Sequence, residues 1–159
     1  MLAAVLTVSD RCSQGLAVDT AGPAVVALVQ QHWPDAEVRS ALVPDEIAAI
    51  AQHLTQWSAQ GAALILTVGG TGLGPRDLTP EATRSLIHRE APGVAEAMRS
   101  AGAQKNPMAW LSRGVAGLRG NTLIVNLPGS MRGAHESLTV ILPLLRHGLE
   151  TISGSETHR

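Results

Sequence analysis

The chain has 159 residues, 45% hydrophobic and 16% charged, with a formal net charge of −1, which excludes a disordered chain and fits one domain able to bury a core. The near-neutral balance also excludes broad nucleic-acid binding, which needs a basic face to release counterions. With Trp33, Trp57 and Trp110 as the only aromatics besides histidine, the core must be built from Ala, Val, Ile and Leu.

The run Ala3–Val8 is short and apolar with no basic segment ahead of it. It reads as a first strand and not as a signal peptide. Ser9-Asp10-Arg11-Cys12-Ser13-Gln14-Gly15 follows, and Ala21–Gln31 then has a helical pattern with Asp19 or Thr20 near its start. Glu37–Val43 is a weaker strand candidate, followed by Pro44-Asp45-Glu46. Glu46–Gln60 predicts a helix, because Ile47, Ile50, Ala51, Leu54 and Trp57 form one apolar stripe. Ala62–Val68 predicts a buried strand and runs into Gly69-Gly70-Thr71-Gly72-Leu73-Gly74-Pro75-Arg76-Asp77. Thr79-Pro80-Glu81 predicts a helix start, with Thr79 as cap, proline in the first turn and an acid near the positive helix end. That helix is expected to run to about Glu90, before Pro92, with another over Gly93–Ala101. Thr122–Leu127 predicts a further strand, followed by Pro128-Gly129-Ser130 and a last helix over about Arg132–Ile152.

Strands alternating with helices imply a three-layer α/β/α fold with a doubly wound, mostly parallel sheet, expected as a single domain over 1–159. Ligands in such folds bind beyond the carboxyl ends of the strands. No stretch approaches the roughly 18 apolar residues of a membrane span. Cys12 is the only cysteine, so no intramolecular disulfide can form, and a reducing cytoplasm is the expected compartment.

The segments after the strands carry the candidate chemistry. Gly69, Gly70, Gly72 and Gly74 remove side-chain bulk and permit positive φ, so main-chain N–H groups can hold a phosphate. The segment is neither a Walker A loop nor a dinucleotide fingerprint. A plain glycine-rich turn fits Gly69–Gly72 equally well in isolation. Arg76, a guanidinium for phosphate, and Asp77, a carboxylate for a metal, tilt the reading toward a ligand. Asp45 and Asp77 each follow a strand, and two carboxylates near a polyphosphate suit Mg²⁺. Asp45 also fits a cap of the helix beginning at Glu46, a structural role that the local sequence favours and that can coexist with the other. Asp10 and Arg11 fit a solvated ion pair, Ser13 a turn, and Pro128-Gly129-Ser130 the opening of the last helix, whose N-terminus is also an anion site. The six histidines show no metal-ligand spacing, and Cys12 has no histidine base near it in sequence.

Four segments in this order resemble the MogA/MoaB family of molybdenum-cofactor biosynthesis proteins, from Thr7 to about Gly154. They are Thr7-Val8-Ser9-Asp10-Arg11, Val43-Pro44-Asp45-Glu46, Gly69-Gly70-Thr71-Gly72 continuing through Pro75-Arg76-Asp77-Leu78-Thr79-Pro80-Glu81-Ala82-Thr83, and Asn126-Leu127-Pro128-Gly129-Ser130. Leu111-Ser112-Arg113, Gly117-Leu118-Arg119-Gly120, Ser130, Arg132 and Gly133 resemble the gephyrin G-domain branch in particular. The resemblance implies transfer of AMP from ATP to the phosphate of molybdopterin, with Mg²⁺ and ATP, a homotrimer, and a molybdenum-insertion protein as possible partner. By position, Asp45 and Asp77 match the family's two catalytically important aspartates, and Gly70, Thr71 and Gly72 its nucleotide-phosphate loop. Ser9, Asp10, Arg11 and Ser13 match the first pocket loop, and Pro128, Gly129 and Ser130 the last. A molybdopterin-binding or trimerisation module with weak or no catalysis is the alternative that the resemblance leaves open.

Overall fold

Three apolar runs become the centre of a sheet because both of their faces are covered. They are β1 (Leu2–Val8), β3 (Leu64–Val68) and β6 (Thr122–Leu127), and nearly every residue in them is buried. Alternate residues face opposite sides. Val5, Leu66 and Val125 pack with α2 (Ala21–His32), α5 (Pro92–Lys105) and α6 (Met131–Ser153). Leu6, Ile65 and Ile124 pack with α3 (Ile47–Ala59) and α4 (Thr79–Arg84). The result is the expected three-layer α/β/α arrangement. These observations come from a computed structural model that describes residues 1–155; Glu156–Arg159, part of the expected 1–159 domain, lie outside the described residues. No helix among the described residues is long and apolar enough to cross a membrane.

With β2 at Glu37–Val43, β4 at Arg89–Glu90 and β5 at Ala116–Arg119, the strand order is β2-β1-β3-β6-β5-β4. β2 (Glu37–Val43) pairs parallel with β1 at the sheet edge, so its outer positions meet solvent and its pattern is more polar. β1, β3 and β6 are parallel, with Thr7 opposite Val68 and Val68 opposite Leu127. Their carboxyl ends therefore lie along one rim. The chain leaves β1 for β2 on one side and returns to β3 on the other. The switch point, where such sheets form a crevice, lies between β1 and β3.

One expected element is shorter than its pattern, and two short strands had none. The helix expected to reach Glu90 ends at Arg84, and Arg89–Glu90 forms a short strand, β4. His88 N donates to Leu118 O at 2.7 Å, and β4 pairs antiparallel with β5 (Ala116–Arg119). Non-local pairing overrides the local helical pattern there. β5 had no sequence pattern of its own; it joins β6 as an antiparallel hairpin arm.

A buried polar knot ties the hairpin to the site. Asn126, 1% exposed, donates through Nδ2 to Thr67 Oγ1 at 2.9 Å and Thr83 Oγ1 at 3.0 Å, and its Oδ1 accepts from Val115 N at 3.1 Å. Asn126→Ala should strip partners from these buried groups and lower stability by roughly 2–4 kcal/mol, read as a urea midpoint shift at unchanged slope. A parental midpoint would show that the knot contributes nothing.

Candidate active site

The loops at the switch point hold one another. After β1, Ser9 Oγ accepts from Cys12 N at 3.1 Å and caps a single helical turn, α1 (Asp10–Ser13). Ser13 Oγ donates to Asp10 O at 2.9 Å within that turn, and Arg11 is exposed on it. The turn aims Asp10 at the loop after β2, where Asp10 N donates to Asp45 Oδ2 at 2.8 Å and Asp45 N returns a bond to Asp10 Oδ1 at 3.0 Å. Asp45 is therefore not the cap of α3; Glu46 occupies that position and makes no side-chain cap bond. Asp10 pairs with Arg76 rather than Arg11. Arg76 Nε meets Asp10 Oδ2 at 2.5 Å, and Nη2 donates to Asp10 Oδ1 at 3.1 Å and Asp45 O at 3.2 Å.

These contacts set the charges. The Arg76 guanidinium, with the Asp45 N–H, holds the Asp10 carboxyl below its usual range. Burial pushes the Asp45 carboxyl up, and the negative charges of Asp10 and Asp77 add to the rise. A cation arriving here would relieve that strain on Asp45.

The glycine loop follows β3. Gly69 and Gly70 have φ of 105° and 69°, backbone that L side chains rarely adopt. A Cβ on Gly70 would lie 2.2 Å from Thr79 Oγ1 and 3.1 Å from Asp45 Oδ1. Thr79 is not the helix cap, a position taken by Leu78. Its hydroxyl donates to Gly69 O at 2.9 Å and its N–H to Gly70 O at 3.1 Å, anchoring the loop to α4. Asp77 Oδ2 accepts from Gly74 N at 2.9 Å, and a Cβ on Gly72 or Gly74 would come within 2.8 Å of that oxygen. Asp45 thus borders the start of the loop and Asp77 its end. Their Oδ1 atoms accept no hydrogen bond among the described residues. Two such oxygens suit Mg²⁺, which takes one or two carboxylates, water and substrate phosphates. No group of three or more His, Cys, Asp or Glu that could hold a metal gathers among the described residues, so phosphate oxygens and water would have to complete the shell.

The loop after β6 joins the site from the other flank. Ser130 Oγ accepts from Gly133 N at 3.0 Å and caps α6, the helix that Pro128-Gly129-Ser130 was expected to open. A Cβ on Gly129 would lie 3.2 Å from Gly69 Cα, so the two loops touch. Beyond them opens a groove of about 840 Å³ whose lining includes Arg99, Ser112, Pro128, Ser130 and Arg132. The candidate residues therefore form two areas, a carboxylate and glycine cluster and a groove, which meet at Gly69 and Gly129. Arg99 and Arg113 received no functional role from the sequence, although both make contacts in and around these loops. Arg113 stood in a segment that carried the resemblance, but its role was not legible because the groups it bonds lie far away in sequence.

The profile of a family described as a probable molybdopterin binding domain matches residues 4–147. The chain belongs to this molybdopterin-binding family. It is similar to gephyrin of Dictyostelium discoideum, at 42% identity over 98% of this chain and 24% of that protein. It is also similar to the molybdopterin adenylyltransferase of Haemophilus influenzae, at 40% identity over 84% of this chain and 69% of that one. Among solved structures, the molybdopterin biosynthesis enzyme MoaB of Thermus thermophilus is 51% identical, with a TM-score of 0.87 over 96% of both chains. In four of the curated relatives, the match spans no more than 49% of their length. All four sequence segments that carried the resemblance fall inside the matched span of this molybdopterin-binding domain.

Proposed function

We propose that this domain is a molybdopterin adenylyltransferase of molybdenum-cofactor biosynthesis. An oxygen of the molybdopterin phosphate attacks the α-phosphorus of ATP; the bond from that phosphorus to the bridging oxygen breaks, and pyrophosphate leaves with the electron pair. The observation that carries this reading is the placement of Asp45 and Asp77 at the two ends of a glycine loop at the switch point. The similarity to an adenylyltransferase supports it.

The nucleophile is already anionic, so the protein needs no strong general base and works by positioning and charge neutralisation. Mg²⁺, held by Asp45 and Asp77, would supply the main neutralising charge on the polyphosphate. The N–H groups of Gly70, Thr71 and Gly72 face the phosphates. Arg76 lies within reach and exchanges Asp10 for phosphate when the nucleotide enters. Ser9 and Asp10 line the β1 side, and Pro128, Gly129 and Ser130 hold the pterin end.

Purified chain incubated with molybdopterin, ATP and Mg²⁺ should yield adenylylated molybdopterin and pyrophosphate in equal amounts. Molybdopterin binding with no product would overturn the enzymatic reading in favour of a binding or assembly module.

The proposed assembly is a homotrimer in the cytoplasm that passes its product to a molybdenum-insertion protein. The exposed Met108, Trp110 and Leu111 on the 3₁₀-helix Pro107–Leu111 supply apolar surface that supports self-association. Light scattering at micromolar protein should give three chain masses; a single chain mass would refute the trimer.

A further inference from the structure

We propose that Arg113 is a positioning residue that sets the glycine loop for the nucleotide. This rests on the reading of that loop and Asp77 as the Mg²⁺–ATP site.

Arg113 lies just beyond the 3₁₀-helix and reaches a loop 41 residues away. Its N–H donates to Thr71 O at 2.8 Å, its Nε to Gly72 O at 2.8 Å and its Nη2 to Asp77 O at 2.6 Å. The fork closes on Glu81 in the first turn of α4, with Nη1 to Oε1 at 2.5 Å and Nη2 to Oε2 at 3.4 Å. One residue thus ties both ends of the loop to the helix that follows it. Thr79 anchors the start of the loop at Gly69 O and Gly70 O, and Arg76 ties its end to Asp10 and Asp45 O, which leaves Thr71 and Gly72 to Arg113. Leu73 is 66% exposed, and the bonds inside the loop are those between Gly74 and Asp77. Arg113 is itself braced, because Arg99 Nη1 donates to Ser112 O at 3.2 Å and Gly114 O at 2.8 Å on either side of it.

The geometry has a consequence for anion binding. In a trans peptide the C=O and the following N–H point in opposite directions, and the chain has no cis peptides. Arg113 takes the carbonyls of Thr71 and Gly72, so the N–H groups of Gly72 and Leu73 turn away from it. Neither N–H has a hydrogen-bond partner among the described residues. Two adjacent unpaired amides turned from Arg113 are donors that an anion can use. The third bond, to Asp77 O, fixes the main chain from which the metal-binding carboxylate projects. Lysine keeps the charge but cannot place donors on Gly72, Asp77 and Glu81 together.

The test uses the full chain with Arg113→Gln, Arg113→Lys and Glu81→Gln. Arg113→Gln should raise the KM for MgATP and lower kcat, each by about tenfold or more, since a small displacement of a positioning group has effects of that order. Molybdopterin affinity should stay at the parent value. Hydrogen exchange at the amides of Gly74 and Asp77 should accelerate by a similar factor without nucleotide or metal, while β1 and β3 amides keep their protection. Arg113→Lys should recover little of the MgATP effect. Glu81→Gln leaves the arginine but loosens its fork, and should show the same MgATP-selective change at smaller size. An unchanged MgATP KM and unchanged loop exchange in Arg113→Gln would overturn the proposal, as would an equal loss of molybdopterin affinity. If Arg113→Gln does not fold, a parental MgATP KM in Glu81→Gln overturns it. A parent that binds molybdopterin but makes no product sinks the adenylylation reading alone, because loop exchange still decides the role of Arg113.

Discussion

Asp77→Asn should all but abolish adenylyl transfer while leaving molybdopterin binding and the melting temperature close to the parent. The substitution keeps the size of the side chain and an oxygen that can still accept from Gly74 N, the bond that closes the loop. It deletes the charge that would hold Mg²⁺ against the polyphosphate. Loss of a metal's contribution to the transition state amounts to several kcal/mol, roughly a thousandfold in rate. Asp45→Asn should behave alike. Its amide oxygen can replace Oδ2 as acceptor for Asp10 N, so the bond between the loops survives. Since Asp45 caps no helix, no capping energy is lost with its charge. The measurement is product formation at saturating Mg²⁺ and ATP, with a thermal melt of the same samples. Parental turnover in both variants would eliminate the metal site. Lost turnover with a large fall in melting temperature would assign the two residues to the fold instead.

Gly69→Ala should be the most damaging single methyl that can be added at the site. Gly69 has φ of 105°, and an added Cβ would lie 2.4 Å from Val8 O, a main-chain atom of β1 that cannot rotate aside. On the other side Gly129 Cα stands 3.8 Å from that position. Relief requires β1 and β3 to part at the switch point, where the loops meet. Strained φ and a backbone clash together should cost on the order of 3–5 kcal/mol, lowering the melting temperature by roughly 10 °C in a chain of this size. Adenylyl transfer should vanish with it. Gly61→Ala is the control, because Gly61 has φ of 86° but nothing within 4 Å of its added Cβ. It should show only the smaller cost of the unfavourable φ. If Gly69→Ala melts no lower than Gly61→Ala, the close packing of the loops against β1 does not limit stability.

Much of the architecture was legible in the sequence for a simple reason. β1, β3 and β6 are covered on both faces, so nearly every residue is apolar and the run is visible without partners. Of the stripe that helical spacing reveals on α3, Ile50, Leu54 and Trp57 face the sheet, while Ile47, in the first turn, is exposed. β2 read more weakly because an edge strand has neighbours on one side only. Pro128-Gly129-Ser130 could be read as the opening of the last helix because the bond from Gly133 N to Ser130 Oγ that starts it is local, three residues long. The candidate loops were legible because glycine, proline and aspartate follow each strand, and a parallel sheet brings such loops to one rim.

The remaining assignments depended on residues far apart in the chain. β4 and β5 are too short to show a period, and their pairing alone defines them. Asp45 fits a helix cap or a ligand by local sequence; Asp10, 35 residues earlier, decided against the cap. Arg76 stands beside the glycine loop in sequence, yet its guanidinium rests on Asp10, 66 residues away. Arg113 and Glu81 meet across 32 residues. Local sequence determined where the central strands, most of the helices and the glycine-rich loops lie, because burial and turn chemistry act on neighbouring residues. Tertiary structure alone decided which charge answers which, because an ion pair or an acceptor bond depends on distance in space and leaves no period in the chain.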